Sequence, residues 1–204
     1  MTAITKQGTR EKIAAAALEL FAARGYERTS VHEICERAGV SNGSFFHHFG
    51  SKEGLALEVY LEERRSYWEA TVSALERHTD DPVEGLVAAV RAALAYQEAH
   101  PDRHNFMIEC ASANWMRTHA QAVTELNVEF SARFMAWAQP HIDAGGLPAL
   151  APEVIAALVY GPSQWLTRSW HTGLSETPPT AWADALADLV RKALAVPSAD
   201  GRSG

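Results

Sequence analysis

The sequence predicts an all-α protein of about nine helices, divided into a small N-terminal head and a larger helical body. Three observations predict it. Apolar residues recur at three- and four-residue spacing in every long segment. Capping residues, glycines and prolines punctuate those segments where helices begin and end. No stretch alternates apolar and polar residues as a half-buried strand does.

The elements follow in order. From Thr9, the residues Ile13, Ala17, Leu20 and Phe21 mark one face of a first helix, and Gly25 stands where a C′ glycine stops it. Ser30 and Glu33 form a capping box that opens a short second helix, with Ile34, Cys35 and Ala38 on one side. Gly39 ends that helix. Ser41 caps a third, in which Phe45 and Phe49 lie i, i+4 on the core side, and Cys35 is expected to fill the same core. Ser51 caps a long fourth helix running through Leu55, Val59 and Trp68 to about Arg77. Five more helices are expected at about 82–99, 103–117, 119–143, 152–172 and 180–195. Pro152 suits the first position of the eighth and Thr180 the N-cap of the ninth, while the final "PSADGRSG" is expected to fray.

Composition narrows the function classes. Of the chain's 204 residues, 47% are hydrophobic, enough for a sizeable core. Two cysteines, Cys35 and Cys110, make neither a disulfide framework nor a four-ligand metal site. The start "MTAITKQGTREK" lacks the apolar region of a secretion signal, and no apolar run approaches the roughly 18 residues that span a bilayer. A cytoplasmic protein is expected. The net charge of −7 is unevenly spread. Residues 1–52 hold seven Lys/Arg against five Glu, so a mildly basic head sits on an acidic body, which permits a nucleic-acid partner.

Residues 39–43, "GVSNG", fit two patterns. One is the G-x-S-x-G nucleophile elbow, which needs a strand before the serine. The preceding "SVHEICERA" is capped, charged and helically periodic, so Ser41 is read as a cap and no catalytic residue is assigned. The other pattern is helix, glycine-containing turn, helix: the helix-turn-helix, whose second helix enters the major groove. Small residues Asn42, Gly43 and Ser44 at that helix start allow close approach to DNA.

Residues 9–60, and above all "TSVHEICERAGVSNGSFFHHFGSKEGL", resemble the head of the tetracycline-repressor (TetR) family of transcriptional regulators. The likeness lies in a first helix ending in Phe, an Ala-Gly-Val-Ser turn, an aromatic-His-Phe ending and Ser-Lys-Glu-x-Leu. It implies a helix-turn-helix DNA-binding domain at residues 8–68 and a ligand-binding and dimerisation domain at 69–204. It also implies DNA-facing roles for Ser30, His32, Ser41, Asn42, Gly43, Ser44, Phe46, His47, His48 and Lys52. Of these, Asn42 suits a bidentate pair with adenine and Lys52 matches a phosphate-contacting lysine. Phe46 departs from the tyrosine common in the family, so a phosphate hydrogen bond is lost there.

The body is read by the same logic. Helices 152–172 and 180–195 are expected to form a four-helix interface in a homodimer, with Trp182, Leu186, Leu189, Val190 and Ala193 along the ninth. Five of the six tryptophans lie beyond residue 110, which suggests an aromatic cavity for a small molecule. Its expected lining is Phe106, Trp115, Met116, Phe134, Trp137 and Trp165, with His100 and Arg168 as polar anchors. His100 and His104 stand i, i+4, but Pro101 intervenes and no metal site is expected; nor is any cofactor. The resulting function is a repressor released from a palindromic operator on double-stranded DNA by a small, largely apolar effector. The alternative is a helical carrier or enzyme using the same cavity.

Overall fold

The computed structural model describes residues 2–194 and is helical throughout, with no strand among the described residues. Among the described residues nine α-helices follow one another: α1 (Thr2–Arg24), α2 (Val31–Ala38), α3 (Asn42–Phe49), α4 (Lys52–Glu76), α5 (Pro82–Ala99), α6 (Pro101–Ser112), α7 (Ala120–Asp143), α8 (Pro152–His171) and α9 (Ala183–Leu194). Short 3-10 turns occupy Asn114–His119 and Pro179–Trp182. The expected fraying tail lies outside the described residues.

Four boundaries differ from the sequence reading by more than a residue: α6 ends at Ser112 rather than about 117, giving way to the 3-10 turn, and the other three have local reasons. Helix α1 starts at Thr2 rather than Thr9, since Gly8 weakens a helix without breaking it. Pro101 opens α6 at its first turn, where a missing N–H costs nothing. Thr180 caps no helix. Its N–H bonds to the Glu98 carboxylate at 2.8 Å, and a 3-10 turn precedes α9.

The chain forms two compact units. The first takes the residues up to Ser66 together with His100–Leu126, and the second takes Tyr67–Ala99 together with the chain from Asn127 on. In the first, Ile13, Ala17, Leu20 and Phe21 of α1 meet Ile34 and Cys35 of α2, Phe45 of α3, and Leu55 and Val59 of α4. Phe106 and Cys110 of α6 complete that core, Phe106 stacking on Phe21 with centroids 5.3 Å apart. Burial raises the thiol pKa of both cysteines, so each acts as a small apolar side chain.

The second unit is centred on α5, whose Leu86, Val90, Ala93 and Leu94 are buried against Ile155 and Val159 of α8 and Leu186, Val190 and Leu194 of α9. Helix α7 adds Phe134 and Trp137, and the Trp137 indole N–H donates to the His78 carbonyl at 3.0 Å. That ring lies over Gly85, where a Cβ would come within 2.7 Å of it. Arg133 ties α7 to α4 by bonding both Glu69 and Glu76.

Candidate nucleic-acid interface

The N-terminal head is built from caps. Ser30 stands in extended backbone before α2, its hydroxyl accepting from the Glu33 N–H while the Glu33 carboxylate accepts from the Ser30 N–H at 2.8 Å. This reciprocal box holds the Glu33 carboxyl below the usual carboxylate range, with the Ser30 backbone bond first and Arg24 adding to it. At the other end Gly39 adopts φ 66°, a left-handed turn that favours glycine, and the Val40 N–H closes onto the Cys35 carbonyl. The chain then re-enters a helix at once. Ser41 is the N-cap, its hydroxyl accepting from the Ser44 N–H at 3.2 Å.

Helix α3 is anchored by one side. Phe45 is fully buried and Phe49 partly so, while Asn42, Gly43, Phe46 and His47 face solvent. Phe46 is 51% exposed, an unusual position for a large apolar ring without a partner surface. Ser44 and His48 are half-buried, and Ser30, His32 and Ser41 are exposed. Helix, left-handed turn, capped helix with its outer face open is a geometry that can present α3 to a DNA groove.

Lys52 is engaged inside the head. Its ammonium donates to the carbonyls of Tyr26 and Thr29, both at 3.1 Å, and lies 4.1 Å from the centre of the Tyr26 ring. Lys52 therefore pins the α1–α2 loop against the start of α4 and keeps one further N–H to offer. The same loop is held from α6, where the Glu109 carboxylate accepts from the Tyr26 N–H at 3.1 Å. Sequence reading missed that clamp, because nothing in the spacing of residues 26 and 109 announces it. It also missed Gly54. A Cβ there would fall 2.4 Å from the Phe49 carbonyl, so only glycine lets α4 start this close behind α3. The available signal was a glycine within a helical run.

The residues expected around a ligand are divided between the two units. Phe106, Trp115 and Met116 belong to the core of the first unit, and His100 is the half-buried residue preceding α6. Phe134 and Trp137 lie in the core of the second unit. Trp165 is 67% exposed and Arg168 is exposed. Aromatic residues at helical spacing signal burial without saying in which core.

Residues 13–59, the span of the capped head, match the family model "Bacterial regulatory proteins, tetR family". Over its head, the chain is similar to the TetR family of bacterial transcriptional regulators. Among curated relatives, TcmR of Streptomyces glaucescens, an HTH-type transcriptional regulator, is 41% identical over 88 residues. That match takes in 42% of this chain and 37% of TcmR, so the chain spans about two fifths of that relative. The HTH-type transcriptional repressor KstR2 of Rhodococcus jostii is 27% identical over 170 residues, 81% of each chain. FadR from Bacillus subtilis, solved in complex with stearoyl-CoA, superposes with a TM-score of 0.74 at 17% identity, over 88% of this chain and 96% of that one. At that identity the likeness is one of fold. No helix of the described residues is long and apolar enough to cross a membrane.

Proposed function

We propose that this chain is a TetR-family regulator: a cytoplasmic homodimeric repressor that binds a palindromic operator on double-stranded DNA and is released by a small, largely apolar effector. The observation that carries the reading is the capped turn Gly39-Val40-Ser41 followed by the open outer face of α3. Asn42 and Ser44 read base edges; His32, His47 and His48 lie toward the backbone; Phe46 makes van der Waals contact; and Ser30, Ser41 and Gly43 set the approach. Lys52 orders the loop with two N–H groups and offers the third to a phosphate. Residues 8–68 are assigned to DNA binding and 69–204 to the effector and the dimer, with Trp68 at the boundary facing the second unit's core.

The outer faces of α8 and α9 support the dimer. Leu189, Val154 and Trp165 are 58%, 52% and 67% exposed, beside an apolar groove of about 190 Å³ lined by Leu158, Pro162, Leu186, Leu189 and Ala193. Apolar patches of this kind mark interfaces, and a two-fold axis would pair each patch with itself. Two α3 helices then meet successive major grooves, about 34–36 Å apart. That KstR2 is a repressor favours repression, and the stearoyl-CoA bound to a protein of the same fold favours a small-molecule effector.

A gel shift against the DNA flanking the chain's own gene tests the reading. Specific retardation is expected, together with relaxed base preference in Asn42→Ala costing about 1–3 kcal/mol per lost bidentate contact. Failure to retard any such fragment, with fold intact, counts against it.

A further inference from the structure

The second unit holds a polar layer that its own fold does not satisfy. Gln97 of α5 is 1% exposed, and its amide oxygen accepts from the Thr167 hydroxyl of α8 at 2.6 Å. The other end of the amide, Nε2, is buried with no hydrogen-bond partner. A buried donor without an acceptor is costly enough that proteins rarely keep one without use. The neighbouring hydroxyls are already committed: Ser163 donates to the Tyr160 carbonyl, and Thr71 to the carbonyls of Tyr67 and Trp68.

Aromatic rings continue the same face. Tyr160, Ser163 and Thr167 share the inward side of α8, so Tyr160 and the Gln97–Thr167 pair lie about 10 Å apart along that helix. Around Tyr160 stand Trp68, edge-on at 4.9 Å, and Tyr67 at 6.4 Å, while Phe130 stacks on Trp68 at 6.2 Å. Among the described residues, the buried polar side chains of this unit are Thr71, Gln97, Ser163 and Thr167, all uncharged. A charged guest would lose its hydration there against uncharged buried side chains, the half-buried His171 one turn beyond Thr167 being the next ionisable group on that side of α8.

Resting on the regulator reading above, we infer that the effector is a neutral, flat, largely aromatic molecule carrying a hydrogen-bond-accepting oxygen, such as a ketone, ester or lactone. Its rings lie among Trp68, Phe130 and Tyr160, and its oxygen accepts from Gln97 Nε2. Gln97 selects for the oxygen, and the uncharged walls select against an acid.

Three probes of one shape test this on the full-length protein: 2-acetylnaphthalene, 2-ethylnaphthalene and 2-naphthoate, with binding followed by equilibrium dialysis. The ketone is expected to bind about tenfold tighter than the hydrocarbon, and the carboxylate at least about tenfold weaker than the ketone. In Gln97→Leu the ketone and hydrocarbon should bind within about twofold of each other. Should that variant misfold, as circular dichroism would show, the wild-type ranking alone decides. Carboxylate binding as tight as ketone binding, no binding of any probe, or an unchanged preference in a folded Gln97→Leu overturns the inference. A gel shift without probe is run in parallel. Absence of operator binding there, with the probe ranking intact, overturns the regulator reading and leaves the site standing.

Discussion

Lys52 carries a structural role, and the phosphate contact proposed for it would fall to the same side chain. Two of its three donors are spent on the Tyr26 and Thr29 carbonyls. Lys52→Ala is therefore expected to destabilise the head by about 1–3 kcal/mol, read as a lower thermal midpoint. If the third donor meets a phosphate, the same variant flattens the salt dependence of operator binding by about one contact per subunit. A lowered midpoint with an unchanged salt slope would make Lys52 a purely structural residue. The two glycines of the head separate along the same line. Gly54→Ala drives a methyl into the Phe49 carbonyl and should cost about 1–3 kcal/mol of stability, whereas Gly43→Ala meets nothing closer than 3.8 Å. Thermal melts should drop for the first alone, with operator binding altered in the second. The roles of Ser30, Gly39 and Ser41 as caps were legible in the sequence, because capping is decided by residues three positions apart. The Lys52–Tyr26 and Tyr26–Glu109 bonds were not, since they join residues 26 and 83 positions apart.

At the scale of elements, helix existence was readable and helix company was not. Periodicity marks the buried face of α6 but cannot reveal that residues 100–126 return to the first unit, so the sequence alone could not tell that Phe106, Trp115 and Met116, expected along a ligand cavity, pack with the first unit. Packing likewise overrides propensity at Gly85. Alanine is the better helix former by about 1 kcal/mol, yet a Cβ there would collide with the Trp137 ring. Gly85→Ala should lower stability rather than raise it, and denaturant melts decide the sign. The α5–α9 junction adds a pH dependence. Arg191 grips both oxygens of Glu84, and that hydrogen bonding holds the Glu84 carboxyl below the usual range. A carboxyl depressed on folding stabilises above its unfolded pKa and loses that contribution as pH falls through its folded one. Glu84→Gln should thus be less stable than wild type near pH 7, with the two converging toward about pH 3. Parallel pH profiles would show the pair to be idle.

For the whole molecule, the decisive feature is that α9 is apolar on two sides. Leu186, Val190 and Leu194 form the inward stripe and are buried in the second unit. Leu189 and Ala193 form a second pair, one turn apart, and both are exposed in the single chain. A helix that served only its own core would carry polar residues at those positions. The acidic body makes the point sharper, because residues 53–204 hold 20 acids and 11 bases and so have charge to spare for an exposed face. A second copy of the chain covers this stripe in the dimer proposed above. Leu189→Glu should then shift the protein from dimer to monomer in sedimentation while leaving its helical content unchanged. Leu186→Glu, by contrast, places a charge in the core and should unfold the second unit. Since two heads on one dimer bind their half-sites as a linked pair, the Leu189→Glu monomer should lose operator affinity by roughly a hundredfold or more. A Leu189→Glu protein that still sediments as a dimer would move the interface off this face, and one that is monomeric yet binds operator normally would show that a single head suffices.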